Sequence, residues 1–225
     1  MSAGQSSLSP ETSPVVFIVD DDISVRESLE ALIDFEGWRT ETFASAEEFL
    51  TRSRSLEPCC LILDISLPDL NGLDLQKLIA ADRIEMPIIF ITGHGDIPMT
   101  VQAMKAGAVE FLTKPINDQL LLDAIRSAVE RSKSELGNEV ELGSLRSRWS
   151  LLTPREREVI ELVVSGLLNK QVGYKLGISE ITVKAHRGKA MAKMEADSLA
   201  DMVRMTTRLG LALRTNPWNI LRDIE

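Results

Sequence analysis

The chain has 225 residues, of which 44% are hydrophobic and 26% are charged, and its formal net charge is −9. This length suits two small domains, of about 120 and about 65 residues, and the hydrophobic share is ordinary for a globular protein. No apolar run reaches the length of about 18 residues that would predict a membrane span, and the polar start lacks the features of a secretory signal, so we expect a cytoplasmic protein without membrane contact.

The first predicted elements follow a polar segment, residues 1–13, in which we expect a disordered tail. Five apolar runs then alternate with stretches of helical spacing, a pattern that predicts a parallel sheet with helices on both faces. The runs are continuously apolar, as in a sheet that is buried on both sides. The predicted strands are VVFIVD (15–20), WRTETF (38–43), CCLILD (59–64), PIIFIT (87–92) and VEFL (109–112).

Polar side chains stand where four of these strands end. The carboxyl ends of parallel strands form one edge of a sheet, and ligands bind in the crevice there. Asp and Thr are also common in turns, but agreement across four strands predicts a shared site. The residues are Asp20, Asp21 and Asp22 at the first strand, Asp64 at the third, Thr92 at the fourth and Lys114 after the fifth.

The chemistry of this predicted site follows from its charges. Clustered carboxylates repel each other unless a cation lies between them, and oxygen ligands without nearby Cys or His favour a hard ion, for which we expect Mg²⁺. Lys114 could neutralise a phosphoryl oxygen, and the Thr92 hydroxyl could donate to another. The set predicts phosphoryl transfer, with one of the aspartates as the nucleophile.

The segments IVDDD, DISLPDLNG, ITG and TKP occur in this order within residues 14–135. In order and spacing they resemble the receiver domain of bacterial response regulators. The resemblance implies a flavodoxin-like, five-stranded α/β domain in which a sensor histidine kinase phosphorylates Asp64. It also implies a cis bond between Lys114 and Pro115.

The same resemblance implies roles for further residues of the site. The Mg²⁺ ligands would be Asp21, Asp64, the backbone carbonyl of Ser66, and Asp20 through or near a metal-bound water. Thr92 and Lys114 would sense the phosphoryl group, while Ser66 and His94 would tune its lifetime. Phe111 is either a core aromatic or a switch residue, and because it lacks a hydroxyl, such a switch would depend on packing.

Residues 136–150 separate the two predicted domains. They carry Gly137 and Gly143 among charged residues, with a few apolar positions at helical spacing. Because glycine weakens a helix, we predict a semi-rigid linker that is only partly helical.

The charge changes sign near residue 150. Residues 1–150 hold 13 Lys and Arg against 25 Asp and Glu, which gives −12, and residues 151–225 hold 12 against 9, which gives +3.

Thr153, Pro154 and Glu156 form a capping-box start for a helix. The following segment fits a helix, a turn at Gly177 and a second helix capped by Ser179, with Gly173 where the two helices cross closely.

Residues 151–213 resemble the LuxR-type helix-turn-helix of the NarL/FixJ regulators, an all-α domain. The resemblance implies a homodimer when phosphorylated, with DNA, the kinase and RNA polymerase as partners. Gly188 departs from the family pattern, since a longer side chain often stands there, and residues 214–225 form a tail beyond the resemblance. The implied base-reading residues are Lys184 and Ala185, and the implied DNA-backbone contacts are Lys170, Thr182 and Arg187, with Lys189 beside them on the same helix.

Two alternatives to a phosphorylation-controlled transcription factor arise from the same residues. A haloacid-dehalogenase-like phosphohydrolase would use Asp20 as nucleophile and Asp22 as general acid, and it would leave Asp64 without a purpose. An atypical regulator would bind DNA without phosphorylation, although the complete acidic set argues against it.

Overall fold

The computed structural model describes residues 13–53, 57–82, 86–93 and 97–211. The chain divides into two compact units between residues 137 and 138. The predicted C-terminal tail, the predicted N-terminal tail up to residue 12, and His94 lie outside the described residues.

The N-terminal unit contains a five-stranded parallel sheet with the order β2-β1-β3-β4-β5. The parallel sheet is what the alternating pattern predicted, and its strand order is the flavodoxin-like one that the resemblance to receiver domains implied. Each strand lies within two residues of its predicted bounds. The strands are β1 Val15–Val19, β2 Arg39–Phe43, β3 Cys59–Asp64, β4 Ile88–Thr92 and β5 Glu110–Thr113, and the helices are α1 Ile23–Phe35, α2 Ala46–Thr51, α3 Gly72–Asp82, α4 Ile97–Lys105 and α5 Asp118–Ser150.

The sheet separates two hydrophobic cores because successive side chains of a strand point to opposite faces. On β1, Phe17 packs with buried residues of α2, α3 and α4, whereas Ile18 packs with those of α1 and α5. All five residues of β1 are fully buried. Both faces are therefore covered by helices, as the continuously apolar strands predicted.

Helix α5 includes the whole segment predicted as a partly helical linker. In the N-terminal unit, its buried Ser132 accepts a hydrogen bond from the backbone N–H of Cys59 at the start of β3 (3.1 Å). In the C-terminal unit, Leu145 and Trp149 belong to a hydrophobic core. Gly137 and Gly143 lower the helix propensity of this segment, but its packing offsets that loss. Propensity alone therefore overestimates how much the two glycines disrupt the helix.

The C-terminal unit continues with four helices among the described residues, each with a defined start. They are α6 Pro154–Val164, α7 Asn169–Leu176, α8 Glu180–Met194 and α9 Leu199–Arg208. The predicted capping box of Thr153 and Glu156 is present, and Ser179 caps α8 by accepting from the N–H of Thr182. Gly177 ends α7 in the left-handed conformation, with φ 66°. The predicted caps and turn are confirmed.

Glu156, which is buried, also forms a part-buried ion pair that the sequence pattern does not show. Its Oε2 atom accepts from Lys193 Nζ (2.7 Å) and from the backbone N–H of Thr153 (2.9 Å). The hydrogen bond from Lys193 is the main reason that the pKa of Glu156 lies below its usual value. The pair joins the start of α6 to the end of α8.

We expect Glu156→Gln to lower the free energy of unfolding of the C-terminal unit by about 1.5 kcal/mol at neutral pH, because glutamine keeps the cap but not the charge. A lowered folded-state pKa stabilises the fold above the unfolded pKa and ceases to do so as the pH falls through the folded value. Urea unfolding should therefore show a difference that shrinks below about pH 4. Glu158→Gln, at an exposed pair with Arg155, is the matched control. Equal losses in both variants would contradict the role of Lys193.

No helix among the described residues is long and apolar enough to span a membrane.

Candidate functional site

Three carboxylates meet at the carboxyl edge of the sheet. The register pairs Val19 with Leu63, so the residues that follow them, Asp20 and Asp64, lie side by side. Asp21 completes the group, and one oxygen from each of the three carboxylates lies within 4.8 Å of the others. Asp20 and Asp64 are buried, whereas Asp21 is exposed. The sheet thus assembles the predicted acidic cluster with one side open to solvent.

Lys114 bridges the two buried carboxylates. Its Nζ atom lies 2.7 Å from Asp20 Oδ2 and 2.6 Å from Asp64 Oδ2. Burial raises the pKa of Asp20, against the hydrogen bond from Lys114, which lowers it. Burial lowers the pKa of Lys114, but its hydrogen bonds and attraction to Asp20 and Asp64 together outweigh burial and raise it. The lysine is therefore held as an ammonium beside the acidic group.

Backbone groups orient the same carboxylates. The N–H of Ser66 donates to Asp64 Oδ1 (2.8 Å), and the N–H of Asp22 donates to Asp20 Oδ1 (2.9 Å). Both oxygens of Asp64 are thus engaged, one by an amide and one by Lys114. Arg26, which the sequence reading missed, donates from Nη1 to the carbonyl oxygen of Asp20 (2.6 Å).

Gly72 is required where the chain leaves Asp64 for α3. A Cβ atom at this position would lie 2.7 Å from the backbone carbonyl oxygen of Asp64 and 2.9 Å from the Cα atom of Ile65. The Gly72 N–H also donates to the carbonyl oxygen of Ile65 (3.0 Å). The chain can therefore turn away from Asp64 into α3 at this point because Gly72 has no Cβ atom.

Thr92 and Lys114 are neighbours across β4 and β5. Thr92 is fully buried at the end of β4, and its carbonyl oxygen accepts from the Lys114 N–H (2.7 Å). The bond between Lys114 and Pro115 is cis, as expected. Phe111 is half-buried, lies opposite Phe90 in the register and packs against the core on that face. Its place suits both readings of the sequence, and its role as a switch stays a prediction.

The donor set fits a hard cation. Its protein ligands are carboxylate oxygens, without imidazole or thiolate, a choice that suits Mg²⁺. Three carboxylates and one ammonium give a formal charge of −3 + 1 = −2 when all are ionised, so a divalent cation would balance the group. The exposed Asp21 leaves room for the water ligands that Mg²⁺ retains.

The second candidate site lies on α7 and α8. Gly173 permits the close crossing predicted for it, since a Cβ atom there would lie 2.7 Å from the carbonyl oxygen of Ile178. Val172 and Val183 are fully buried between the helices. The helix-turn-helix therefore leaves one side of α8 exposed.

The residues predicted to contact DNA differ in their exposure and in their hydrogen-bond partners within this unit. Lys170 is exposed on α7, and Lys184, Ala185 and Lys189 are exposed on α8. The half-buried Arg187 donates from Nη1 to Asn169 Oδ1 (3.3 Å). The hydroxyl of Thr182 lies 2.8 Å from that of Ser179.

Two residues of α8 near these contacts were not among those predicted from the sequence to belong to the site. Glu180 pairs with Lys184 (2.9 Å), which the spacing of four residues could have indicated. Ile181 is a large apolar side chain that is 80% exposed. Apolar side chains of this size are more often buried, and only the position of the helix shows that this one is exposed.

Comparison with known proteins matches both units to family models. Residues 16–126 match the response regulator receiver domain, and residues 150–206 match the bacterial regulatory proteins of the luxR family. Nodulation protein W of Bradyrhizobium diazoefficiens is 50% identical over 201 residues, which cover 89% of this chain and 88% of that protein. The transcriptional regulatory protein FixJ of Azorhizobium caulinodans is 40% identical, with coverage of 90% and 96%.

A solved structure agrees with these matches. The low-resolution structure of the response regulator StyR is 45% identical, with a TM-score of 0.76, and the match covers 88% of this chain and 100% of that one. FixJ is by name a transcriptional regulatory protein and StyR a response regulator, which argues against the phosphohydrolase alternative. Asp64 lies in one cluster with Asp20, which also argues against the phosphohydrolase, because that mechanism gives Asp64 no role.

Proposed function

Because the chain belongs to the response regulators that join a receiver domain to a LuxR-type DNA-binding domain, we propose that a sensor histidine kinase phosphorylates Asp64 and thereby promotes dimerisation and sequence-specific DNA binding. We propose that the protein acts in the cytoplasm. The observation that carries the proposal is the cluster of Asp20, Asp21 and Asp64 with Lys114 at the sheet edge. It supplies a nucleophile, a cation site and a fixed positive charge.

The transfer step is an in-line displacement at phosphorus. An oxygen of Asp64 forms the new O–P bond, and the N–P bond of the kinase phosphohistidine breaks. The electron pair of that bond stays on the imidazole. Lys114 already lies 2.6 Å from Asp64 Oδ2, so its ammonium can pass from the carboxylate to the more strongly charged phosphoryl oxygens.

We infer that Mg²⁺ is the cofactor of this step. Asp20, Asp21 and Asp64 would hold it, together with the carbonyl oxygen of Ser66, and Asp20 would act through or near a bound water. When bound, the ion supplies neutralisation of the charge on the transferring phosphoryl group. The excess negative charge of the cluster and its oxygen-only donors support this choice.

We propose that Thr92 and Lys114 detect the phosphoryl group and that Phe111 repacks in response. The hydrogen bond between the backbones of Thr92 and Lys114 ties the two responses together. Ile97, Val101 and Met104 are exposed on α4 at helical spacing and form an apolar stripe. This stripe supports a dimer whose interface includes α4.

In the dimer, two copies of α8 would read a two-fold DNA site. Lys184 and Ala185 would contact base edges, and Lys170, Thr182, Arg187 and Lys189 would contact the DNA backbone or lie beside it. The exposed lysines of α7 and α8 support this assignment. The dimer bound at a promoter would then act on RNA polymerase to control transcription.

The test is to measure mass and DNA binding with and without beryllofluoride and Mg²⁺. We expect a monomer to become a dimer that selects duplexes from a random pool. Val101→Asp should keep phosphorylation but remain monomeric, whereas Leu78→Asp, at an exposed apolar position on α3, should dimerise normally. Equal DNA affinity in both conditions would contradict the proposal and favour a regulator that works without phosphorylation.

A further inference from the structure

The outward face of α8 carries a large apolar residue that the described residues of the unit leave mostly exposed. Val183 points into the core, and because successive residues turn by about 100°, Ile181 and Ala185 lie on the opposite face. Ile181 is 80% exposed in the first turn of the helix. Its side chain belongs to neither of the hydrophobic cores that residues 138–211 form.

Cationic side chains flank this apolar face. Lys184 lies on one side of Ile181 and Ala185, and Lys189 lies on the other, both exposed to solvent. A partner that fits this surface is a polyanion that presents an apolar group between its charges. In DNA, the major groove offers one apolar group on its floor, the 5-methyl group of thymine, between two rows of phosphates.

The size of the apolar patch favours DNA over a protein partner. A stable protein interface buries about 800 Å² on each side and has an apolar centre. One isoleucine and one alanine supply a small part of that. Gly188 continues the same face, and a Cβ atom there would meet none of the described residues within 4 Å, so the backbone of α8 can approach a surface closely.

We propose that Ile181, together with Ala185, reads thymine by contact with its 5-methyl group, and that Ile181 is a specificity-determining residue of this regulator. The inference rests on the proposed DNA binding and adds a residue and a ligand group to it. Isoleucine has no hydrogen-bonding group, so among the features of the major groove it can favour only the methyl group.

The experiment replaces thymine by deoxyuridine, which lacks only the methyl group. Duplexes are first selected from a random pool by the full chain activated with beryllofluoride and Mg²⁺. Each thymine of the selected site is then replaced singly, and affinity is measured. We expect a loss of about fourfold at one thymine or more in each half-site, the effect of one buried methyl group.

Variants assign the effect to the side chain. Ile181→Ala should bind the thymine and deoxyuridine duplexes equally at the position it reads, whereas Ile181→Val should keep most of the discrimination. Leu151→Ala removes an exposed apolar side chain outside α7 and α8 and should behave as the unmodified protein. Because Ile181 is exposed, we expect unchanged thermal unfolding of its variants.

The outcomes separate this inference from the function on which it rests. If the unmodified chain selects no duplex, DNA binding as proposed is wrong and the inference fails with it. If it selects a site but Ile181→Ala keeps the full sensitivity to deoxyuridine, or no position is sensitive, DNA binding stands and the inference is overturned. If Ile181→Ala binds DNA as the unmodified chain does but no longer supports transcription, the inference is likewise overturned, because Ile181 would then contact a protein.

Discussion

Asp64→Asn is expected to abolish covalent labelling of the protein by a sensor histidine kinase or by acetyl phosphate. The amide is a poor nucleophile at phosphorus and carries no charge to share with a cation. It nearly matches the carboxylate in shape and can still accept from the N–H of Ser66, which now lies 2.8 Å from Asp64 Oδ1. We therefore expect the fold to persist while dimerisation and phosphorylation-dependent DNA binding are lost.

Asp22→Asn is the matched control. Asp22 belongs to the same acidic run, but its side chain accepts from the Ser24 N–H as the cap of α1, and it lies outside the group of carboxylates that could hold a metal. Asparagine is an equally good cap, so labelling should remain at the level of the unmodified protein. Phosphate incorporation, measured with radiolabelled donor, decides the matter. Full labelling of Asp64→Asn would overturn the assignment of the acceptor.

Gly173→Ala is expected to destabilise the C-terminal unit by about 2 kcal/mol, which corresponds to a fall of about 10 °C in its unfolding temperature. The new methyl group would lie 2.7 Å from the carbonyl oxygen of Ile178. That contact cannot relax freely, because the N–H of Ile178 donates to the Gly173 carbonyl oxygen (2.9 Å) and holds the turn in place. DNA binding should weaken with the loss of this turn.

Gly188→Ala tests the same substitution in open space. A Cβ atom at Gly188 meets nothing within 4 Å in the part of the chain that the structure describes, and the residue lies inside α8. Alanine should therefore stabilise the unit by about 1 kcal/mol through helix propensity. Calorimetry of the full chain would compare both variants, with the transition of the C-terminal unit identified by its rise when duplex DNA is added. Stabilisation by Gly173→Ala would contradict the close crossing of α7 and α8.

The sequence predicted best those elements that are encoded by local patterns. The strands of the sheet, the capping box at Thr153 and the turn at Gly177 each depend on residues within a few positions of one another. The parallel sheet edge was predictable as well, because every strand that ends in a polar residue delivers it to the same edge. This is why the cluster of Asp20, Asp21 and Asp64 could be anticipated from residues far apart in the chain.

Predictions failed or were missing where packing opposes local preference. Gly137 and Gly143 suggested a linker that is only partly helical. Helix α5 nevertheless runs through both positions, because Leu145 packs into a core beyond them. The ion pair of Glu156 with Lys193 joins positions 37 residues apart, and no periodicity indicates such a contact.

By itself, the sequence determined the order of elements, the acidic set at the sheet edge and the basic segment that follows Gly177. These depend on hydrophobic period, turn chemistry and charge, which are properties of neighbouring residues. The tertiary structure alone decided which atom of Asp64 each neighbouring group contacts. It places Lys114 on one oxygen of that carboxylate and the Ser66 N–H on the other, and it leaves Ile181 outside the cores of the described residues. Distances between side chains and the exposure of one face of a helix arise only when the elements pack together, so a linear pattern cannot specify them.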